Sequence, residues 1–326
     1  MNKKMWKDKR VLVTGCTGFL GSWLTAVLVQ NGAEVVGLIR DDVPQSQLLR
    51  SGTIQQINVV RGELCDYALL ERTIAEYEIN TIFHLAAQTI VGIANRSPMS
   101  TFETNIRGSW MLMEAARQQP TVKAMVIAGS EKAYGDLAEP PFQETFPLRG
   151  RHPYDVSKSC ADLIAQSYAH SYDLPIAVTR CSNLYGGGDL NWNRLLPGTI
   201  RSVLRDERPI IRSDGTFKRD YLFVEDAVNG YLMIAEQLVQ GNLVGETFNF
   251  GRGKPNSALD VVNTIIKVSD HPELEPIILN EVKNEIKDEY LSAEKARLVL
   301  GWEPAETLET GLAKTMKWYQ AFLGMI

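Results

Sequence analysis

Along the first 180 residues, short runs of β-branched and aliphatic residues take turns with longer stretches whose apolar positions recur every three or four residues. The first run, Arg10-Val11-Leu12-Val13-Thr14, reads as a buried parallel strand. Gly15 ends it, and a helical pattern follows from Phe19 to Gln30 with Leu20, Leu24, Val27 and Leu28 on one face. Asn31-Gly32 stops that helix. The alternation continues with strands at 34–39, 57–60, 81–85, 124–128 and 176–180, and helices at 67–77, 102–117 and 154–172. Strand and helix in strict turn predict βαβ units, hence an α/β fold with a Rossmann-type, doubly wound parallel sheet.

After Arg180 the rhythm breaks. Glycine and proline cluster at Gly186-Gly187-Gly188, Pro197-Gly198, Pro209 and Asp214-Gly215, and shorter elements lead to a last helix at 308–322. The pattern places a dinucleotide-type Rossmann domain at 1–181 and a smaller C-terminal lobe at 182–326. With no Ser- or Pro-rich linker between them, the lobes are expected to interleave, some later segments returning to the first sheet. No repeat or low-complexity tract occurs.

Composition narrows the function classes. Apolar residues make up 44% and charged residues 22%, the balance of a soluble globular chain. The formal net charge is −5, with no long basic stripe, which argues against nucleic acid as a partner. No apolar run approaches a membrane span, and the basic start, Met1 to Arg10, runs into a strand, not a signal-peptide core; the expected compartment is the cytoplasm. Cys16, Cys65, Cys160 and Cys181 fit neither a zinc cage nor a disulfide framework and read as reduced thiols, so no metal is expected. Cys16, inside the first βα turn, reads as a small side chain that fits.

That turn carries the first chemistry. Gly15-Cys16-Thr17-Gly18-Phe19-Leu20-Gly21 puts glycines at its first, fourth and seventh positions, between a strand and a helix. A chain that must turn tightly, bring its backbone to a pyrophosphate and pack a helix close to a sheet needs glycine there. The helix N-terminus then offers free N–H groups to the phosphates. Thr17, Phe19 and Leu20 lie in the same cradle. At the end of the second strand an acid would favour NAD through the ribose. The sequence there is Leu38-Ile39-Arg40-Asp41-Asp42. Arg40 can pair with the extra phosphate of NADP and tips the reading that way; Asp41 or Asp42 could instead serve the ribose of NAD.

The second chemical signal is Tyr154-Asp155-Val156-Ser157-Lys158, which sets Tyr154 and Lys158 one helical turn apart on one face. A phenol of pKa near 10 is a poor base at neutral pH; a neighbouring ammonium favours the phenolate. Such a pair can take a proton from a hydroxyl while hydride leaves its carbon.

With these motifs in place the chain resembles, over essentially its whole length, the extended short-chain dehydrogenases/reductases of the nucleotide-sugar epimerase/dehydratase group. Thr14 to Gly21 matches the cofactor loop, His84-Leu85-Ala86-Ala87-Gln88 the fourth-strand motif, and Thr104-Asn105-Ile106-Arg107-Gly108 the segment after it. Arg180-Cys181-Ser182-Asn183-Leu184-Tyr185-Gly186, Arg219-Asp220-Tyr221 and Val224-Glu225-Asp226-Ala227 resemble later motifs. The resemblance implies a Ser130-Tyr154-Lys158 triad, cofactor contacts from Glu63, Leu64, Leu85, Ala86, Ala87, Tyr154 and Lys158, and nucleotide-sugar contacts from Gln88, Asn105, Asn183, Arg194, Leu195 and Arg219. It also implies a homodimer or higher homo-oligomer through the helices at 102–117 and 154–172.

The residues after Ser130 separate activities within the group. Dehydratases acting on dTDP-glucose carry Asp-Glu there, those acting on CDP-glucose carry Asp-Lys, and epimerases usually carry no acid-base pair. This chain has Glu131-Lys132, nearest the second pattern, with an acid one methylene longer. Elimination of water from a 4-keto sugar needs a base at C5 and an acid at C6, two titratable groups beyond the tyrosine. The expected activity is therefore a nucleotide-sugar 4,6-dehydratase with a CDP-glucose-like substrate, Lys132 acting at C5 and Glu131 at C6. An epimerase or reductase on the same scaffold is the alternative, and a non-catalytic cofactor-binding regulator the third reading.

Overall fold

The computed structural model describes residues 3–136, 139–281 and 287–325. Two compact units share the chain. The first comprises Met1–Leu137, Glu144–Arg180 and Val228–Phe248, and the second Ala138–Gln143, Cys181–Ala227 and Asn249–Ile326.

The first unit is built on parallel strands β1 (Arg10–Thr14), β2 (Glu34–Ile39), β3 (Asn58–Arg61), β4 (Thr81–His84), β5 (Ala124–Ala128) and β6 (Ile176–Cys181). Their spatial order is β3-β2-β1-β4-β5-β6, and Thr247–Phe250 adds a seventh strand beside β6. Side chains alternate across a strand, yet Val11, Leu12 and Val13 are all fully buried, so both faces of the sheet are covered. On one face Leu12, Ile82 and Met125 pack with Leu70, Ile74, Leu112 and Ala165 from the crossover helices. Strand order reverses between β1 and β4, the switch point at which open α/β sheets bind ligands.

Six of the seven sheet strands and the helices Phe19–Gln30, Tyr67–Glu76 and Pro153–Tyr172 lie within a residue or two of where the apolar pattern puts them. The helix expected at 102–117 differs. It runs as Pro98–Phe102, a π turn over Glu103–Arg107, then Gly108–Arg117. The π turn inserts an extra residue without breaking the apolar face, so periodicity does not reveal it. The helix Val224–Val239 and the strand Thr247–Phe250 were not anticipated as elements. Within the first unit Trp6 and Tyr231 anchor that helix: Trp6 Nε1 donates to Glu236 Oε1 (3.0 Å), and the Thr179 hydroxyl to that of Tyr231 (2.6 Å).

In the second unit Asn183–Tyr185 pairs in parallel with Tyr221–Phe223. Lys218–Arg219 is the middle strand of a three-stranded sheet, between Asn256–Ser257 and Asp288–Glu289. Phe142 joins this unit through backbone bonds with Tyr290 and Ser292, and its carbonyl accepts from Asn249 Nδ2 (2.9 Å). Among the described residues no helix is long and apolar enough to cross a membrane. All four cysteines are free thiols.

Candidate active site

The glycine turn between β1 and Phe19–Gln30 is fixed by sterics. Gly15 has φ +74°, and a Cβ there would lie 2.7 Å from Ala86 N. A Cβ on Gly21 would lie 2.1 Å from Gly15 O, so both positions exclude any side chain. Gly18 is the N-cap and makes no side-chain cap bond. It is exposed, and Thr17, Phe19 and Leu20 are partly so, leaving the helix N-terminus open for an anion. These features fit a dinucleotide pyrophosphate. Cys16 packs inward, toward Gly37; burial pushes its thiol up to about 12, which makes it a filler and not a nucleophile.

The rest of the first unit's cradle is less uniform. Leu85, Ala86, Ala87 and Gln88 follow β4 and are partly exposed. Leu64 is buried in the core beside Gly108, and Glu63 is exposed. Arg40 is exposed just beyond β2, its Nε 2.6 Å from Asp41 Oδ2, while Arg61 Nη1 meets Asp42 Oδ1 at 2.8 Å.

Tyr154 and Lys158 sit on Pro153–Tyr172 and are only 8% and 6% exposed. Lys158 Nζ donates to Ala128 O at the end of β5 (2.6 Å). The π turn places Asn105 beneath this helix. Asn105 Nδ2 donates to Ser157 Oγ (2.9 Å) and Gln88 O (3.1 Å), and its Oδ1 accepts from Gln88 N (2.7 Å). Both amide hydrogens and the carbonyl are thus engaged inside the protein. Asn105, expected to touch the sugar nucleotide, bonds in this structure to the Gln88 backbone and to Ser157 on the helix of Tyr154.

The chain of polar contacts continues to β1. The Ser109 hydroxyl donates to Asn105 O (2.6 Å), so it must accept from His84 Nε2 (2.8 Å). His84 Nδ1 then accepts from the Thr14 hydroxyl (2.8 Å), which itself accepts from Ala86 N (3.3 Å). This arrangement is complete with a neutral imidazole. Burial, aided by the Lys158 charge, pushes the His84 pKa down to about 3. In the second unit burial has the opposite effect on Asp220, whose carboxyl is pushed up to about 6.

These two groups give opposed pH dependences. Below pH 6.5 the unfolded chain takes up a proton that folded His84 refuses, so stability falls on acidification, by up to about 1.4 kcal/mol per pH unit. Folded Asp220 keeps a proton that the unfolded chain releases between pH 3.8 and about 6, so acidification through that window stabilises. Urea titrations should therefore find Asp220→Asn more acid-sensitive than the parent between pH 6 and 4, and His84→Gln less. Parallel curves for all three would refute these assignments.

Ser130 caps the short 3₁₀ turn Glu131–Tyr134, its Oγ accepting from Lys132 N (3.2 Å). Glu131 is 2% exposed and Lys132 partly exposed. A carboxyl so placed is not a solvated surface charge.

Asn183, Arg194, Leu195 and Arg219 belong to the second unit. Asn183 N donates to Asp220 O (3.1 Å). Arg194 stands at the N-cap position of Leu195–Val203 without a side-chain cap bond and pairs with Asp189 (2.9 Å). Arg219 pairs with the fully buried Glu289 (3.5 Å) and donates from Nη1 to Lys218 O and Lys287 O. Its partner's burial sets it apart from an ordinary surface ion pair.

A reversed-order Rossmann sheet whose switch point opens on both a glycine turn and a Tyr-x-x-x-Lys helix is the architecture of the extended short-chain dehydrogenases/reductases. Sequence comparison is more particular: the GDP-mannose 4,6 dehydratase family profile matches residues 12–315, and the chain belongs to that family. It is 31% identical over 340 residues to the CDP-glucose 4,6-dehydratase of Salmonella typhimurium, covering 99% of this chain and 94% of that one. In shape it is similar to the UDP-glucose 4-epimerase of Thermotoga maritima solved with UDP-glucose (TM-score 0.88, 28% identity, 96% of this chain and 99% of that one). It is also similar to the dTDP-glucose 4,6-dehydratase of Bacillus anthracis solved with NAD (TM-score 0.83, 28% identity, 96% and 97%).

Proposed function

We propose that the protein is a nucleotide-sugar 4,6-dehydratase, converting an NDP-hexose to an NDP-4-keto-6-deoxyhexose with loss of water. The observation that carries this reading is Glu131-Lys132 on the Ser130-capped turn, with the Glu131 carboxyl buried. A nicotinamide dinucleotide, which the turn from Gly15 to Gly21 would hold, would accept the C4 hydride and later return it. Tyr154, supported by Lys158 and Ser130, takes the proton of the C4 hydroxyl. With C4 a ketone, the C5 hydrogen becomes acidic and Lys132 removes it. Glu131 protonates the C6 hydroxyl, which leaves as water; the resulting 5,6 double bond would then take the hydride back at C6 while Lys132 returns a proton to C5, giving the 6-deoxy product with no net oxidation. The similarity to a CDP-glucose 4,6-dehydratase favours a CDP-hexose. A 4-epimerase is the second reading, supported by the fold's similarity to a UDP-glucose 4-epimerase. Incubation with CDP-, GDP-, UDP- and dTDP-hexoses, with products read by mass, separates the two: a product lighter by one water supports the dehydratase, and an isomer of unchanged mass the epimerase.

The preference for NADP over NAD rests on Arg40, exposed at the end of β2. Arg40→Ala should weaken NADP binding on the order of tenfold, the usual worth of a charged hydrogen bond, and leave NAD binding nearly unchanged. Equal effects on both, measured by calorimetry, would remove the preference.

The homodimer is proposed through the helices at 102–117 and 154–172, which bear Trp110 and Leu163. Both are exposed, as are Met99 and Phe102 on the preceding turn, an apolar grouping that a second copy would cover. Light scattering of Trp110→Asp should report a monomer where the parent is a dimer.

A further inference from the structure

Tyr154, Lys158 and Asp162 stand at positions i, i+4 and i+8 of one helix, on one face. Asp162 has no role in the chemistry above, yet its side chain is fully buried. It takes Arg180, at the end of β6, in a two-pronged pair: Nε to Oδ2 at 2.8 Å and Nη2 to Oδ1 at 3.1 Å. The third prong of the guanidinium, Nη1, reaches the Tyr134 hydroxyl at 2.8 Å and Glu144 O at 3.3 Å. The guanidinium carbon also lies 4.9 Å from the Tyr134 ring centroid. Tyr134 is the last residue of the 3₁₀ turn that carries Glu131 and Lys132. A second tether runs alongside, from Ser159 Oγ to Ala133 O (3.1 Å).

A buried ion pair generally contributes no more stability than apolar residues of the same volume. What it does supply is direction: a planar fork that fixes both partners' angles. Here the fork ties the helix of the proton-transfer pair to the turn of the acid-base pair. We infer that Asp162, Arg180 and Tyr134 are positioning residues that set the Glu131-Lys132 turn in register with Tyr154 and Lys158, and so serve the elimination of water and not the first oxidation. The inference rests on the dehydratase reading. The oxidation calls on Tyr154 and Lys158, the latter held to Ala128 O at the end of β5, and on Ser130 at the start of the turn, four residues before Tyr134. The elimination needs Glu131 and Lys132, whose turn the anchor holds.

Tyr134→Phe is the test, because it keeps the ring and deletes only the hydroxyl that Arg180 holds. The holoenzyme is mixed rapidly with the NDP-hexose it turns over. Oxidation is followed by absorbance of reduced nicotinamide, C5 deprotonation by deuterium uptake from D₂O, and water loss by mass. The expected result is oxidation within about twofold of the parent, with deuterium uptake and water loss slower by roughly 10–100-fold, the effect of a displacement on the ångström scale. Asp162→Leu combined with Arg180→Met removes both charges at once, avoids leaving one unpaired, and should show the same split. Equal slowing of all three steps in a folded variant, or no slowing of any, overturns the inference. A parent that turns over its sugar without losing water overturns the dehydratase reading, and this inference with it. A parent that eliminates alongside a Tyr134→Phe that eliminates equally fast overturns the inference alone.

Discussion

Phenylalanine in place of Tyr154 will stop turnover while leaving the dinucleotide bound. Tyr154 and Lys158 are both nearly sealed from solvent, and the helix that carries them is pinned to β5 through Lys158 and Ala128. In such surroundings water screens little, and an ammonium one turn away acts strongly on a phenol. The phenylalanine variant keeps the ring and the packing and loses only the proton acceptor for the C4 hydroxyl. A positioned base contributes about 10²–10⁴-fold, and here every later step waits on the ketone it helps to make, so the loss should reach at least the upper end of that range. The glycine turn at Gly15 to Gly21 is untouched, so dinucleotide affinity should stay within about twofold, since no binding contact there is lost. Near-normal turnover, measured as product by mass, would show that another residue takes the proton. Loss of dinucleotide affinity would show that the Tyr154 hydroxyl also holds the dinucleotide.

How far the sequence reveals such a site depends on how local its determinants are. The glycine turn is legible because the steric demands at Gly15 and Gly21 fall within seven residues of one another and leave no substitute for glycine. The Tyr154/Lys158 pair is legible for the same reason: one helical turn sets the geometry. The His84 network is not. Thr14, His84, Ser109, Asn105 and Ser157 come from five elements, and nothing in the spacing of those residues says that they bond in series. Asn105 in particular reads as a ligand contact from its motif, and only the π turn shows that the amide faces inward. Arg219 carries a similar lesson. As text it is a charge in a loop-rich region, but a parallel strand partner brings the buried Glu289 beside it. The helix Val224–Val239 went unmarked because it begins directly after Phe223 with no proline, glycine or hydroxyl cap to punctuate it.

Glu131 is where sequence and structure together sharpen the chemistry. Adjacent Glu-Lys is a common surface dipeptide, and the text alone leaves that reading open. Burial of Glu131 closes it, because a carboxyl is rarely taken out of water without a task or a partner. Changing Glu131 to Gln and Lys132 to Ala should then stop water loss while leaving the first hydride transfer intact. In the proposed mechanism, oxidation at C4 calls on Tyr154, Lys158 and Ser130. Only the next steps, removal of the C5 proton and departure of the C6 hydroxyl, call on Lys132 and Glu131. The double variant should still gain the absorbance of reduced nicotinamide when given its sugar, and should accumulate a 4-keto sugar of unchanged C6 oxidation, lighter than substrate by two hydrogens. Each single change should cost on the order of 10²–10⁴-fold in the rate of water loss. Glutamine keeps the shape of Glu131 but cannot give up a carboxyl proton, so Glu131→Gln isolates the acid; Lys132→Ala isolates the base and should also abolish deuterium uptake at C5. A double variant that releases water as fast as the parent would make these two residues bystanders, and the scaffold would then read as an epimerase, whose inversion at C4 needs neither group.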